Sequence, residues 1–156
     1  MKIRILSIGT KMPSWVNEGV SEYVKRLPKD MSFDMLELPL AARSKNADIK
    51  RLVLKETESI LSHIQPQDHV IALEVKGHNW STEKLANNLE SWQMNGQNVV
   101  FLIGGPDGLG DACRQRANQL WSLSALTLPH PIVRVVLAEQ IYRAWTVTQN
   151  HPYHRA

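Results

Sequence analysis

Four stretches of this 156-residue chain combine side chains and backbone in ways that could do chemistry. The first is FLIGGPDG, residues 101–108, where an apolar run halts at two glycines, a proline, an aspartate and a third glycine. Gly104 and Gly105 have no side chains, so a flat ligand can lie against their backbone and use its N–H and C=O groups. The same residues also suffice for a tight turn with no ligand. It is no phosphate loop, because G-x-x-x-x-G-K-[ST] occurs nowhere in the chain, and the first turn, IGTKMPSW, lacks G-x-G-x-x-G. The second stretch, LSALTLPHP at residues 123–131, reads as a strand and a rigid turn, or as backbone groups and apolar cover for a purine ring. The third, RVVLAEQIYRAW at residues 134–145, puts Val135, Ala138, Ile141, Tyr142 and Trp145 on one helical face. Packing does not require Arg134, Glu139 or Arg143, although Glu139 and Arg143, four apart, can pair on a helix surface. The fourth is QNHPYHRA, with His151, Tyr153, His154 and Arg155 close together. Arginine grips phosphate, tyrosine stacks on a base and histidine moves a proton near neutral pH. A metal reading through His130, His151 and His154 has neither a thiolate pair nor H-E-x-x-H spacing behind it.

These stretches must be held by the elements around them. Residues 2–8 read as a strand. A helix opens at Pro13, carries Val16, Val20, Tyr23, Val24 and Leu27 on one face and stops at Pro28. Residues 32–38 form a second strand, stopped by Pro39. After a polar loop, Ile49, Leu52, Val53, Ile60, Leu61 and Ile64 stripe a second helix, capped by Asn46 or Asp48. Residues 69–75 read as a buried strand. Ser81 caps a helix carrying Leu85, Leu89 and Trp92, which Gly96 closes. A strand at residues 98–103 leads into the glycine turn, followed by a short helix at 111–119, the segment WSLSALTL and a last helix from about residue 132 to 147. The tail, TQNHPYHRA, has one aromatic ring and no aliphatic side chain larger than alanine, so it has little to pack. The alternation predicts an α/β domain spanning residues 1–156, its largely parallel sheet covered on both faces. In such sheets ligands bind beyond the carboxyl ends of the strands, where the glycine turn and the loops after Leu73 and Leu128 would lie.

Composition sets outer bounds. Hydrophobic residues make up 43% and charged residues 21%, as in an ordinary globular protein. The net charge of +3 permits a nucleic-acid partner without demanding one. The basic clusters at residues 23–29 and 43–51 read first as solvated faces. No apolar run is long enough to span a bilayer, the opening MKIRILSIGTK does not suit a signal peptide, and the single cysteine, Cys113, fits a reducing cytoplasm.

LIGGPDG, SLSALTLPHPIVRVVLAEQIYRAW and NHPYHR, in that order, together with GTKMPSWV, RLPKDM and KNADIKR, resemble the small bacterial SPOUT-superfamily methyltransferases that act on large-subunit ribosomal RNA. The resemblance covers essentially the whole chain; Asp107 stands where glutamate would be expected, with the charge kept. It implies an α/β fold with a mostly parallel sheet flanked by helices and a C-terminal trefoil knot, an exception to the rule against knots. It implies S-adenosylmethionine as cofactor, without a metal, and a homodimer without membrane attachment. The implied substrate is a pseudouridine in helix 69 of 23S ribosomal RNA, methylated at N3 in the assembled ribosome. On this resemblance Gly104 and Gly105 form one wall of the cofactor pocket, and Leu73 with Leu123, Ser124, Ala125, Leu126, Thr127 and Leu128 forms the rest. The N3 proton must leave, so His154 is the expected base and Arg155 the expected stabiliser of the anion, with Arg143 and Tyr153 positioning the RNA. Two other readings fit the same features: a ribosome-binding factor without catalysis, and a SPOUT enzyme acting on transfer RNA.

Overall fold

The computed structural model describes residues 1–154, and the side chains of all of these but His154. Five strands, β1 (Lys2–Ile8), β2 (Ser32–Leu38), β3 (His69–Asn79), β4 (Val99–Ile103) and β5 (Gln119–Ser122), form one sheet in the order β2-β1-β4-β3-β5. Every pairing between them is parallel. Parallel sheets need cover on both faces, and the sequence of β4, VVFLI, is wholly apolar and wholly buried accordingly. Its side chains alternate. Val99, Phe101 and Ile103 face a core shared with Ile3, Ile5 and Ile71 and with helices α3 (Thr82–Met94) and α5 (His130–Thr148). Val100 and Leu102 face a second core with Leu6, Ile8 and Val70, covered by α2 (Ile49–Leu61) and α4 (Asp111–Arg116). Helix α1 (Ser14–Val24) packs beside α5.

The helix ends follow their caps. Asp48 and Ser81 accept hydrogen bonds from the backbone N–H groups of Arg51 and Lys84 and so open α2 and α3. Gly96 adopts φ +61° and closes α3, with Gln97 N–H bonding back to the Trp92 carbonyl at 3.0 Å. Asn150 does the same for α5: at φ +53° it lets His151 N–H reach the Thr146 carbonyl at 2.9 Å.

Three differences from the sequence reading bear on the site. β3 continues past Val75 to Asn79, but with a break: Leu73 and His78 both lie opposite Trp121, and residues 74–77 bulge between them. A Cβ on Gly77 would meet the Leu120 and Trp121 backbone at 2.8 Å, so only glycine lets β5 approach. α4 ends at Arg116, because Ala117 is extended and Asn118 pairs with the Val70 backbone through both its own N–H and its side chain. The fifth strand is therefore Gln119–Ser122, and LSALTL is loop, not strand.

Candidate functional site

The carboxyl ends of β3, β4 and β5 open into a cavity of about 370 Å³, within the range of small-molecule pockets. The bulge of β3 lines it with Leu73, Glu74 and Val75, the glycine turn with Gly104, Gly105, Pro106 and Gly108, and the loop between β5 and α5 with Leu123, Ser124, Leu126 and Leu128. The start of α5 adds His130 and Val133. Of the nine residues expected to hold a cofactor, seven line the cavity; Ala125 and Thr127 are in the same loop without facing it.

The glycine turn has its own physical logic. Gly105 to Gly108 form a turn closed by the Gly108 N–H to Gly105 carbonyl bond of 3.0 Å, with Gly108 at φ +78°. A Cβ on Gly104 would sit 2.6 Å from the Gly108 carbonyl carbon, so this glycine is required by the fold itself. A Cβ on Gly105 would point at Ile8, Leu40 and Glu56, none of which lines the cavity. The turn is clamped from outside. Arg43 bonds Asp107 at 3.1 Å and the buried Glu56 at 2.5 Å, and Glu56 also accepts from the Ala41 N–H. Arg43 is thus a structural cation, not part of a solvated basic face.

The loop of residues 123–128 is shaped by its serines. Ser122 donates to the Ser124 carbonyl at 2.9 Å, and the Ser124 hydroxyl accepts from Leu126 N–H at 2.9 Å. These hydroxyls fold the loop, leaving backbone groups and apolar side chains as the main surface offered to a ligand. Glu74 is the one carboxylate among the described lining residues, and Arg114 holds it at 3.2 Å while also bonding the Leu109 carbonyl and Asp111. The sequence reading missed both Glu74 and Arg114; only the bulge in β3 turns Glu74 toward the cavity.

Behind the cavity lies a buried polar network. Arg134, 1% exposed, bonds Glu37 at 2.5 Å, the Gly9 carbonyl at 2.8 Å and Nε2 of His130 at 2.9 Å. His130 Nδ1 lies 3.1 Å from the Gly104 carbonyl, and Ser7 Oγ is 3.1 Å from Nε2. Burial first, and then the Arg134 charge, hold the His130 imidazole below its ordinary pKa. Arg134 is therefore fully committed inside the fold and not placed to touch RNA.

The tail folds back on α5. Tyr153 meets the Tyr142 ring edge-on at 4.7 Å, and the Arg143 guanidinium lies 5.1 Å over the Tyr153 ring while bonding Glu139 at 2.7 Å. Burial, and then the Glu139 carboxylate, keep the Tyr153 phenol protonated above its usual range. The structure thus brings Arg143 and Tyr153 together, contrary to the expectation that the tail has little to pack. Of the residues expected to act on the base, Arg155 and the side chain of His154 lie outside the described residues. No helix is long and apolar enough to cross a membrane among the described residues.

The sequence matches, over residues 1–154, a family described as "Predicted SPOUT methyltransferase". It is 59% identical over 155 residues to a protein of Hahella chejuensis (strain KCTC 2396) named "Ribosomal RNA large subunit methyltransferase H", covering 99% of both chains. It is 57% identical over 155 residues to a protein of the same name from Marinomonas sp. (strain MWYL1), covering 99% of this chain and 100% of that one.

Proposed function

The chain belongs to the SPOUT methyltransferase family, and from that membership we propose that it acts as one domain to methylate N3 of a pseudouridine in helix 69 of 23S ribosomal RNA. The observation that carries the reading is the identity of 57–59% over nearly the full length of relatives named for large-subunit ribosomal RNA. The trefoil knot in the C-terminal part belongs to the same proposal.

The cofactor proposed is S-adenosylmethionine, which when bound supplies a methyl group on an activated sulfonium. The cavity suits it. Leu73, Leu123, Leu126 and Leu128 offer apolar walls to an adenine, the 104–105 and 123–128 backbone offers hydrogen bonds, and Glu74 offers a negative charge to a cationic ligand. Val75 and Leu126 line the cavity although 66% and 75% exposed, so its rim is apolar and uncovered. An uncovered apolar rim supports the proposed homodimer, in which the partner's tail would cover the mouth.

The chain's own groups divide the remaining work. Arg143, held by Glu139 and Tyr153 toward the far part of α5, grips RNA backbone beside the partner's cavity, and Tyr153 helps to position the RNA there. His154 accepts the N3 proton through its neutral ring, and Arg155 stabilises the resulting anion. The test is methyl transfer from labelled cofactor to whole ribosomes, with the modified nucleotide mapped by mass spectrometry. Label at the helix 69 pseudouridine is the expected result. Label in transfer RNA alone, or in no RNA, defeats the proposal.

A further inference from the structure

We infer that His130 is a positioning residue of the cofactor pocket, locked in a single ring tautomer by Arg134 so that its Nδ1–H holds the Gly104 carbonyl in place. The inference rests on the pocket being the cofactor site.

The geometry decides the tautomer. Arg134 Nε–H points at His130 Nε2 at 2.9 Å, and an arginine can only donate, so Nε2 must carry a lone pair. The ring proton then sits on Nδ1, facing the Gly104 carbonyl at 3.1 Å. The opposite tautomer would oppose two N–H groups at Nε2 and two lone pairs at Gly104. The imidazolium would oppose Nε2–H and the guanidinium, adding charge repulsion. The groups around the ring are Arg134 on α5, Glu37 on β2, Ser7 on β1 and the Gly104 carbonyl just after β4. Glu37 is the one carboxylate among these, and its Oε2 is taken by Arg134. The depressed pKa of the ring agrees with this arrangement.

The consequence for the pocket follows from position. Gly104 lines the cavity, and the Gly108 and Leu109 backbone passes close enough that a Cβ on it would meet that backbone at 2.6 Å. Arg134 also bonds the Gly9 carbonyl just beyond β1 and Glu37 near the end of β2. One buried guanidinium thus ties the carboxyl ends of three neighbouring strands, β2, β1 and β4, to the first turn of α5. His130 is the link from that guanidinium to the ligand wall. None of its bonds requires a ligand, so the wall is set before one binds.

Long-range ¹H–¹⁵N NMR of the unaltered protein without cofactor reads the tautomer directly. We expect the proton on Nδ1, and protonation only below the ordinary histidine value of about 6.5. A proton on Nε2, or ordinary titration, overturns the lock. Calorimetry with S-adenosylmethionine then reads the positioning. His130→Ala should weaken binding about tenfold, as for the loss of one buried hydrogen bond. His130→Asn retains a donor near the Nδ1 position and should recover most of that loss. Affinity of the parent should fall as acid protonates the ring, and that acid limb should vanish in His130→Asn. Undiminished binding by His130→Ala overturns the positioning role. If the unaltered protein binds no S-adenosylmethionine, the cofactor reading of the cavity fails, and the NMR result still decides the lock by itself.

Discussion

At the residue scale, the chemistry proposed for the tail separates cleanly from the chemistry of the pocket. His154→Ala and Arg155→Ala should each leave S-adenosylmethionine affinity nearly unchanged, since the β3 bulge, the glycine turn and the loop after β5 supply the described walls of the cavity. Methylation of ribosomes should fall by about a hundredfold or more in at least one, as for loss of an acid–base or electrostatic group. Parental rates in both variants, measured under single-turnover conditions, would remove the tail from the chemistry. Cys113 makes an opposite case, a reactive group type with no access. It is buried in the core under α2 and α4, and burial pushes its thiol up to about 11. At pH 8 the folded protein should therefore resist iodoacetamide, with alkylation appearing on unfolding or as pH climbs toward 11; rapid alkylation at pH 8, read by mass spectrometry, would contradict the burial. Much at this scale was not legible in the sequence. Arg134 stood out as beyond the needs of packing, but its partners Gly9 and Glu37 lie about a hundred positions away, and no local spacing reveals that the guanidinium turns inward.

At the element scale, legibility tracked hydrophobic pattern and caps. β1 and β2 match their sequence readings in both bounds, because each apolar run is ended by glycine or proline. Ser81 and Gly96 likewise stand where the sequence placed them, and of the two caps it offered α2, Asn46 or Asp48, Asp48 is the one used. What escaped was set by pairing rather than composition. The end of β3 beyond Val75, KGHN, reads as loop until β5 lies beside it, and the bulge at residues 74–77 exists only through that pairing. The bulge builds one wall of the cavity, so its integrity should matter to binding and to stability alike. In Gly77→Ala the new methyl would press on the Leu120 and Trp121 backbone, and overpacking of this kind costs about 1–3 kcal/mol. We expect Tm to fall by several degrees and S-adenosylmethionine affinity to fall with it. An unchanged Tm in differential scanning calorimetry would show that β5 can shift without loss.

At the scale of the whole molecule, the question is whether one chain completes its own site. The cavity mouth is rimmed by exposed Val75 and Leu126, while the described part of the tail is folded onto the far reach of α5 through Tyr153 and Tyr142. α5 has 19 residues, so at about 1.5 Å per residue its ends stand nearly 30 Å apart. His130 at its start lines the cavity, and Tyr153 packs on Tyr142, twelve residues further along and so about 18 Å from that start. His154 and Arg155 follow Tyr153 directly in the sequence, and two extended residues span at most about 7 Å. A tail acting on a base at its own chain's cavity would therefore have to leave its contacts on α5. A tail from a second copy would not, and this is the physical case for a site shared in a homodimer. A mixing experiment decides it. One variant, Leu123→Trp, fills the pocket and keeps its tail; the other, His154→Ala with Arg155→Ala, keeps the pocket and loses the tail. Each alone should be nearly inactive, with folding checked by circular dichroism. Random exchange makes half the dimers mixed, and a shared site restores one of the two sites in each, so about a quarter of parental methylation should return. If the tail serves its own chain, no mixed dimer contains a complete site, and the mixture should stay as inactive as its parts.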